Sequence, residues 1–410
     1  MLDINLIRKE PERIKKALAA KQADPLLVDN FLQLDEKWRT LTKQFDDTRA
    51  EQRKIRSAEE GKSIKETLKK IDGELQDIAK MREEALHQMP NPPLMSIPVG
   101  KDASENIVLE EVGKKPALKN PKDYTELAQE FDLIDTERAA KISGSRFGYL
   151  KGPAALMEFA LVDLAMKALI KREFIPIIPP VIINEDPMWA MGYLERGRDE
   201  IYHLPQDNQY LIGTSEQSVG PMHQGEVLED LPKRYVAFST CFRREAGSYG
   251  KDTKGILRVH QFDKVEMVVF TTPEESEKEH QRLLGFQRAL MDALELPYRV
   301  LNICSGDLGD PAAAKYDIEA WLPGQNGGQG EYRETHSTSN TTDFQSRRLN
   351  IKYKNKEGKT ELVHMLNGTA FAIGRTILAI LENYQTDKGT IKIPKVLQDY
   401  MGMKEINPHT

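Results

Sequence analysis

The chain has 410 residues, 39% of them hydrophobic and 30% charged, a balance expected of a water-soluble globular protein of about two domains. Its 58 basic and 64 acidic residues give a net charge of −6, which excludes a globally cationic nucleic-acid coat but leaves a local basic surface open. Two cysteines, Cys241 and Cys304, are too few for a disulfide framework or a four-thiolate zinc site. No apolar run approaches the roughly 20 residues that span a bilayer, and the charged N-terminus lacks a signal-peptide core. A cytoplasmic protein without membrane contact is expected.

The first ninety residues read as helix. From Phe31, the positions Leu34, Trp38, Leu41, Phe45, Thr48, Gln52 and Ile55 follow at alternating spacings of three and four. The pattern resumes at Ile64, Leu68, Ile71, Leu75, Ile78, Arg82, Ala85 and Met89, after a polar turn expected over Ala58–Ser63. An average of 3.5 residues is the seam of a coiled coil. Two such helices, each about 40 Å long, predict an antiparallel hairpin. The stripe is narrow and suits a partner helix better than a broad core, so a protruding arm is expected. Lys54, Arg56, Lys62, Lys65, Lys69 and Lys70 gather at its tip. A charge run is ordinarily just a solvated face, so by itself this says little about phosphate.

Four prolines between Pro90 and Gly100 break the helical pattern. The boundary is placed there, giving domains at 1–98 and 99–410. Beyond it, Ala154–Arg172 reads as a long apolar helix running into Phe174–Ile183, a strand with three prolines. Proline is excluded from central strand positions that must donate, so this strand belongs at an edge or a subunit boundary. Further strands are expected at Tyr210–Ile212, Tyr235–Phe238, Lys264–Phe270, Tyr298–Ile303, Tyr316–Trp321 and Leu362–Leu366, forming an antiparallel sheet. The last feeds a glycine-started amphipathic helix beginning at Asn367. The fold class is therefore α+β, a helical coiled-coil hairpin followed by an antiparallel β-sheet flanked by helices.

The common catalytic signatures are missing. Gly247–Gly255 (GSYGKDTKG) lacks the spacing and the GK[ST] ending of a P-loop. There is no G-x-G-x-x-G after a strand and no HExxH, and the eight histidines are scattered. Metal catalysis and side-chain nucleophiles thus find little support. What stands out is Val236–Phe270, a strand ending in Arg243, Arg244 and Glu245, a glycine-bearing loop, and a return strand with Arg258, His260, Phe262 and Glu266. An arginine held beside a carboxylate presents a rigid fork to a phosphate, and Phe262 can stack on a purine. The plainer alternatives are an Arg243–Glu245 ion pair and a core Phe262.

Together, F-R-x-E, a loop and R-x-H-Q-F-x-x-x-E resemble motif 2 of the class II aminoacyl-tRNA synthetases. More narrowly, CFRREAGSYGKDTKGILRVHQFDKVEM resembles that motif in the seryl-tRNA synthetases. Phe174–Pro180 resembles motif 1 at the family's dimer interface, and Leu366–Gln385 resembles motif 3 with Arg375 as its arginine. Gly213–Gln217 is similar to the family's T-x-E serine loop, and the N-terminal hairpin to its tRNA-binding arm.

The resemblance implies a class II catalytic domain that activates L-serine with ATP to seryl-adenylate, then passes serine to the 3′ end of tRNA(Ser). It implies a homodimer and leaves tRNA(Sec) open as a further acceptor. Arg243 is expected on the α-phosphate of ATP and Glu245 on the adenine amino group, with Phe262 and Arg375 sandwiching the ring. Arg244, Arg258, Val259, Thr335 and His336 fall on nucleotide-binding stretches. Glu334 and Ser337 are expected to hold Mg²⁺, and Thr214, Ser215, Glu216, Glu266 and Thr369 to bind serine. Arg243 and Arg375 are expected to carry catalysis electrostatically. Two departures stand out, a long glycine-rich stretch at Gly327–Gly330 and the version THSTSN at Thr335–Asn340. An amino acid:carrier-protein ligase is the alternative within the fold; such relatives lack the arm. A non-catalytic RNA-binding paralogue is another, but Arg243, Glu334 and Arg375 are all present.

Overall fold

The computed structural model describes residues 1–54, 57–195, 197–246 and 255–408. Ile55 and Arg56 of the expected arm, and Gly247–Lys254 of the expected glycine-bearing loop, lie outside the described residues. The chain divides into two compact units, Met1–Pro93 and Leu94–Thr410.

The first unit contains α1 (Ile4–Lys9), α2 (Pro11–Ala20), α3 (Leu26–Gln52) and α4 (Ala58–His87). Asp3 caps α1 by accepting from the Asn5 amide, and Pro11 opens α2 where no amide is needed. Helices α3 and α4 pack antiparallel, with Leu41, Ile71 and Ile78 buried between them and Leu34, Trp38, Phe45 and Leu75 alongside. The polar hexapeptide Ala58–Ser63, expected as the turn, is instead the start of α4. Glu59 and Glu60 sit in its first turn, where the helix dipole favours acids. Gly61 and Gly73 each cost only about 1 kcal/mol against alanine in a helix, which a thirty-residue helix absorbs.

Arg82 occupies a seam position, and its surroundings explain how. Its guanidinium lies over the rings of Phe31 and Trp38, 5.4 and 4.9 Å from the centroids. Its Nε donates to Asp35 at 2.7 Å, and that carboxylate, 1% exposed, also receives Arg8 at 2.8 and 2.9 Å and Arg39 at 3.3 Å. At the other end of the hairpin Lys54, Lys62, Lys65, Lys69 and Lys70 are exposed.

In the second unit the main elements are β1 (Ile107–Val112), α5 (Pro153–Ile170), β2 (Ile175–Ile177), β3 (Lys233–Phe242), β4 (Gln261–Thr271), α6 (Ser276–Ala293), β5 (Tyr298–Asn302), β6 (Ala314–Leu322), β7 (Glu331–Thr342), α7 (Phe344–Leu349), β8 (His364–Ala372) and α8 (Ile373–Tyr384). The strands form one sheet in the order β1-β5-β6-β7-β8-β4-β3-β2. All neighbours are antiparallel except β2, which lies parallel to β3 at the edge with Pro176 opposite Val236. An edge is where Pro176 is tolerated; Pro179 and Pro180 lie beyond β2, so the single strand expected over Phe174–Ile183 is broken there, and Ile182 and Ile183 pair instead with Leu211 and Tyr210 in a small separate sheet. Helices α5, α6 and α8 share one hydrophobic core with the sheet, which contributes Val236, Val265, Met267 and Phe371. Among the described residues no helix is long and apolar enough to cross a membrane.

Two strands of the eight-stranded sheet escaped the sequence reading, as did most of the short strands outside it. β1 is exposed almost throughout, and β7 carries the polar run Tyr332–Asn340. The helix expected from Asn367 begins only at Ile373. Residues 364–372 are instead β8, paired with both β4 and β7, and two ladders outweigh local propensity. Gly368 belongs to that strand because a Cβ there would lie 2.9 Å from Thr338 Oγ1. The glycine-rich stretch forms the tip of the β6–β7 hairpin. At Gly330 φ is +80°, and a Cβ would meet the Trp321 ring at 2.0 Å.

Candidate active site

Strands β3, β4, β7 and β8 and the start of α8 line a cavity of about 1210 Å³ within the second unit. Thirteen of the sixteen expected site residues line it: Thr214, Glu216, Arg243, Glu245, Arg258, Val259, Phe262, Glu266, Glu334, Thr335, Ser337, Thr369 and Arg375. Ser215, Arg244 and His336 do not. Ser215 is buried and shares a hydrogen bond with Ser239 at 2.7 Å. Arg244 turns toward the Tyr202 ring, 5.3 Å from its centroid. His336 is buried edge-on to Phe371, its imidazole pushed down to about 4 by burial.

At one end, the chain leaving β3 places Arg243. Its Nε donates to the Gly213 carbonyl at 3.2 Å, and its guanidinium lies 5.3 Å from the Phe262 centroid. The expected alternative of an Arg243–Glu245 pair is replaced by Arg258, which binds Glu245 at 2.9 Å. Arg375, in the first turn of α8, donates to the Glu334 carbonyl at 2.9 Å and to that of Leu257 at 3.3 Å. Two arginines and an aromatic face are thus fixed from three separate chain segments.

Strand periodicity explains the other end. Phe262, Lys264 and Glu266 alternate onto one face of β4. Lys264 meets Glu266 at 2.6 Å, and Thr369 on β8 donates to Glu266 at 3.1 Å. Facing them, Glu216 accepts from Tyr193 Oη at 3.1 Å and Gln345 Nε2 at 2.9 Å. Burial and then Glu266 push the Glu216 carboxyl up, against the pull of Gln345, Lys264 and Tyr193. The Thr214 hydroxyl is buried without a hydrogen-bond partner.

A bulge assembles the third group. On β7, Glu334 lies opposite Glu319 and His336 opposite Ile318, so Thr335 is an extra residue. Glu334 and Ser337 are three apart and would ordinarily point to opposite faces; the bulge returns them to the same one. Burial would raise the Glu334 carboxyl, but Arg375, Lys315 and Arg243 outweigh it and hold it below the usual carboxylate range. Beside Ser337, Asp317 binds Lys315 at 2.9 Å while its Oδ1 is buried and unpartnered. Burial lifts the Asp317 carboxyl to about 6. An ionised carboxylate, a hydroxyl and an orphaned carboxylate oxygen make an all-oxygen donor set. That fits Mg²⁺, which takes one or two carboxylates plus substrate phosphates.

Sequence reasoning missed Lys264, Lys315, Asp317, Tyr193 and Gln345. Lys264 was in view, two residues before Glu266 on the return strand; an isolated tyrosine or glutamine carries no such signal. Chemically, the cavity joins a cationic, aromatic-faced group to a small acidic group, with the hydroxyls of Ser337, Ser339 and Thr341 also in its lining.

The chain is similar to known proteins over its whole length. Residues 1–93 match the family description "Seryl-tRNA synthetase N-terminal domain", and residues 202–384 match "tRNA synthetase class II core domain (G, H, P, S and T)". A serine–tRNA ligase of Acidothermus cellulolyticus is 45% identical over 100% of both chains. One of Thermobifida fusca is 43% identical over 100% of this chain and 99% of its own. The crystal structure of seryl-tRNA synthetase from Pyrococcus horikoshii complexed with ATP superposes with a TM-score of 0.94, at 40% identity over 100% of both chains. The cytoplasmic serine–tRNA ligase of Naegleria fowleri in complex with AMP gives 0.92 at 35%, covering 100% of this chain and 99% of that one.

Proposed function

The chain belongs to the seryl-tRNA synthetases, class II enzymes that ligate serine to tRNA at the expense of ATP, and we propose that its cavity holds ATP at the Arg243–Phe262–Arg375 end and serine at the Glu216–Glu266 end. The observation that carries this is one cavity lined both by Arg243 and Arg375 beside Phe262 and by the carboxylates Glu216 and Glu266. The serine carboxylate is already an anionic nucleophile, so the first step needs no general base. A carboxylate oxygen attacks the α-phosphorus, a P–O bond forms, and the bond to pyrophosphate breaks. What the step requires is cancellation of the repulsion between carboxylate and triphosphate. Arg243 and Arg375, fixed in advance, provide it. Phe262 stacks on the adenine, with Arg375 on its other face, while Glu245, steadied by Arg258, accepts from the adenine amino group.

Glu216 takes the serine ammonium, and the Thr369–Glu266 pair meets the hydroxyl. A site built to hydrogen-bond a hydroxyl rejects alanine, which would displace water from the Thr369–Glu266 pair without replacing its hydrogen bond. Glu334 and Ser337 would hold Mg²⁺, which would supply positive charge to the phosphates. In the second step the terminal ribose hydroxyl of tRNA attacks the seryl carbonyl and AMP leaves.

The exposed lysines of the α3–α4 hairpin support its assignment as the arm that grips tRNA by phosphate charge and shape. Residues 1–98 would then form the tRNA-binding domain and 99–410 the catalytic one. The exposed Phe159, Ile170, Ile175 and Ile178 beside the proline strand support a homodimer formed there. A cytoplasmic site of action accords with the free, buried Cys241 and Cys304.

The test is ATP–pyrophosphate exchange with a panel of amino acids, followed by charging of total tRNA and of a tRNA(Sec) transcript. Serine alone should support exchange. Arg243→Ala should abolish it while leaving the melting temperature in place; unchanged exchange would sink the mechanism.

A further inference from the structure

We propose that Gln345 is a positioning residue for serine, holding the Glu216 carboxylate in the orientation that receives the substrate ammonium. The proposal rests on the reading of Glu216 as the ammonium's partner.

Gln345 lies on α7, outside the cavity lining, and is 1% exposed. Its Nε2 donates to Glu216 Oε1 at 2.9 Å and to the Met191 carbonyl at 3.2 Å, and its Oε1 accepts from Thr341 Oγ1 at 3.0 Å. These contacts permit a single amide orientation. Turned over, the Gln345 carbonyl would face the Glu216 carboxylate and the Met191 carbonyl, an acceptor against two acceptors. From another side, Tyr193 Oη donates to the same Glu216 oxygen at 3.1 Å. Both bonds fall on Oε1, so Oε2 is the oxygen left to a ligand.

The frame behind the pair is rigid. Arg348, also on α7, donates to the Trp189 carbonyl at 3.0 Å and to Glu195 at 2.6 Å. The segment carrying Tyr193 and the helix carrying Gln345 are therefore fastened to each other as well as to Glu216. The charged and titratable groups facing Glu216 are Glu266, Lys264 and Tyr193. Burial works against keeping the Glu216 charge, and the Gln345 donor opposes burial. Loss of the donor must raise the pH at which Glu216 ionises, so the acid limb of serine use moves to higher pH.

The experiment is serine-dependent ATP–pyrophosphate exchange on the full chain, with KM measured for serine and for ATP between pH 5.5 and 8.5, a range of about three units around neutrality. Gln345→Met keeps the volume and removes the donor. It should raise the serine KM about tenfold or more, as expected for a lost hydrogen bond to a charged group. It should also shift the acid limb of kcat/KM for serine upward and leave the ATP KM unchanged. An unchanged serine KM, or a rise in both constants without a shifted limb, overturns the proposal. Tyr193→Phe removes the other donor to the same oxygen and carries the same expectation if Gln345→Met does not fold; an unchanged serine KM there overturns the shared-oxygen argument. Glu216→Gln separates the two levels. If it leaves the serine KM intact, the reading of the site falls; if it raises that KM while Gln345→Met does not, only the positioning role falls.

Discussion

Replacing Asp35 by asparagine tests what holds the helical hairpin together at its base. The carboxylate is 1% exposed and receives Arg8 through two bonds, Arg82 through one and Arg39 at 3.3 Å. The amide keeps the volume but leaves three guanidinium groups around a neutral, partly donor-bearing side chain. Breaking a buried ion pair by removing one partner costs about 3–5 kcal/mol. Arg8 and Arg39 are 32% and 56% exposed, so water screens part of the repulsion and the low end applies. A loss of about 3 kcal/mol in a unit of this size lowers its melting temperature by roughly 12–24 °C. Calorimetry on the full chain should show the transition of the first unit moving down while that of the catalytic unit stays. Serine-dependent exchange should persist as tRNA charging falls. Burial pushes the Asp35 carboxyl up, but the bonds from Arg8 and Arg82 outweigh it and hold it below the usual value. Its stabilisation is therefore complete above the unfolded-state value of about 4, and is lost as pH drops through the lower folded value. A first transition that does not move in Asp35→Asn would refute the reasoning.

Other outcomes are as definite. Changing Lys54, Lys62, Lys65, Lys69 and Lys70 to alanine should raise the tRNA KM and flatten its dependence on salt, with exchange untouched; equal losses in both assays would count against the arm. His280 is buried, donates to the Thr338 carbonyl at 3.0 Å, and has its imidazole pushed down to about 4 by burial. A base with a lowered folded value loses stability as pH falls from about 6.5 toward 4, and His280→Gln should reduce that slope in urea titrations. Gly330→Ala forces a Cβ toward Trp321 at positive φ and should lower the melting temperature of the catalytic unit; an unchanged value would mean the tip relaxes freely.

Much of this was legible because it obeys a period. The α3–α4 seam is a repeat of 3.5 residues, and the β3–loop–β4 stretch displays its arginines, Phe262 and Glu266 in order. Arg82 stands in that seam as a charged residue the repeat does not explain, since nothing local announces that Asp35, forty-seven residues away, neutralises it. β7 was hidden because Glu331–Thr342 is polar on both faces, one toward the cavity and one toward α6, so no apolar alternation marks it. Lys315 and Asp317 escaped with it, since they matter only through the strand beside them. Gln345 was illegible for a related reason. Its partners Met191, Glu216 and Thr341 come from three segments, and only the folded chain brings them to one amide.

The bulge at Thr335 makes the site sensitive to parity. Residues may be added to or removed from the hairpin tip at Gln325–Gly330 without changing which face any strand residue occupies, since register is counted from the pairs below it. Between Glu334 and Ser337 there is no such freedom. With Thr335 unpaired, a spacing of three keeps the two side chains on one face; were Thr335 drawn into the ladder, the same spacing would turn Glu334 to the face opposite Ser337, so the pair depends on where the extra residue sits. In this protein length can drift at the tip, while a few positions along the same strand are held to a strict count.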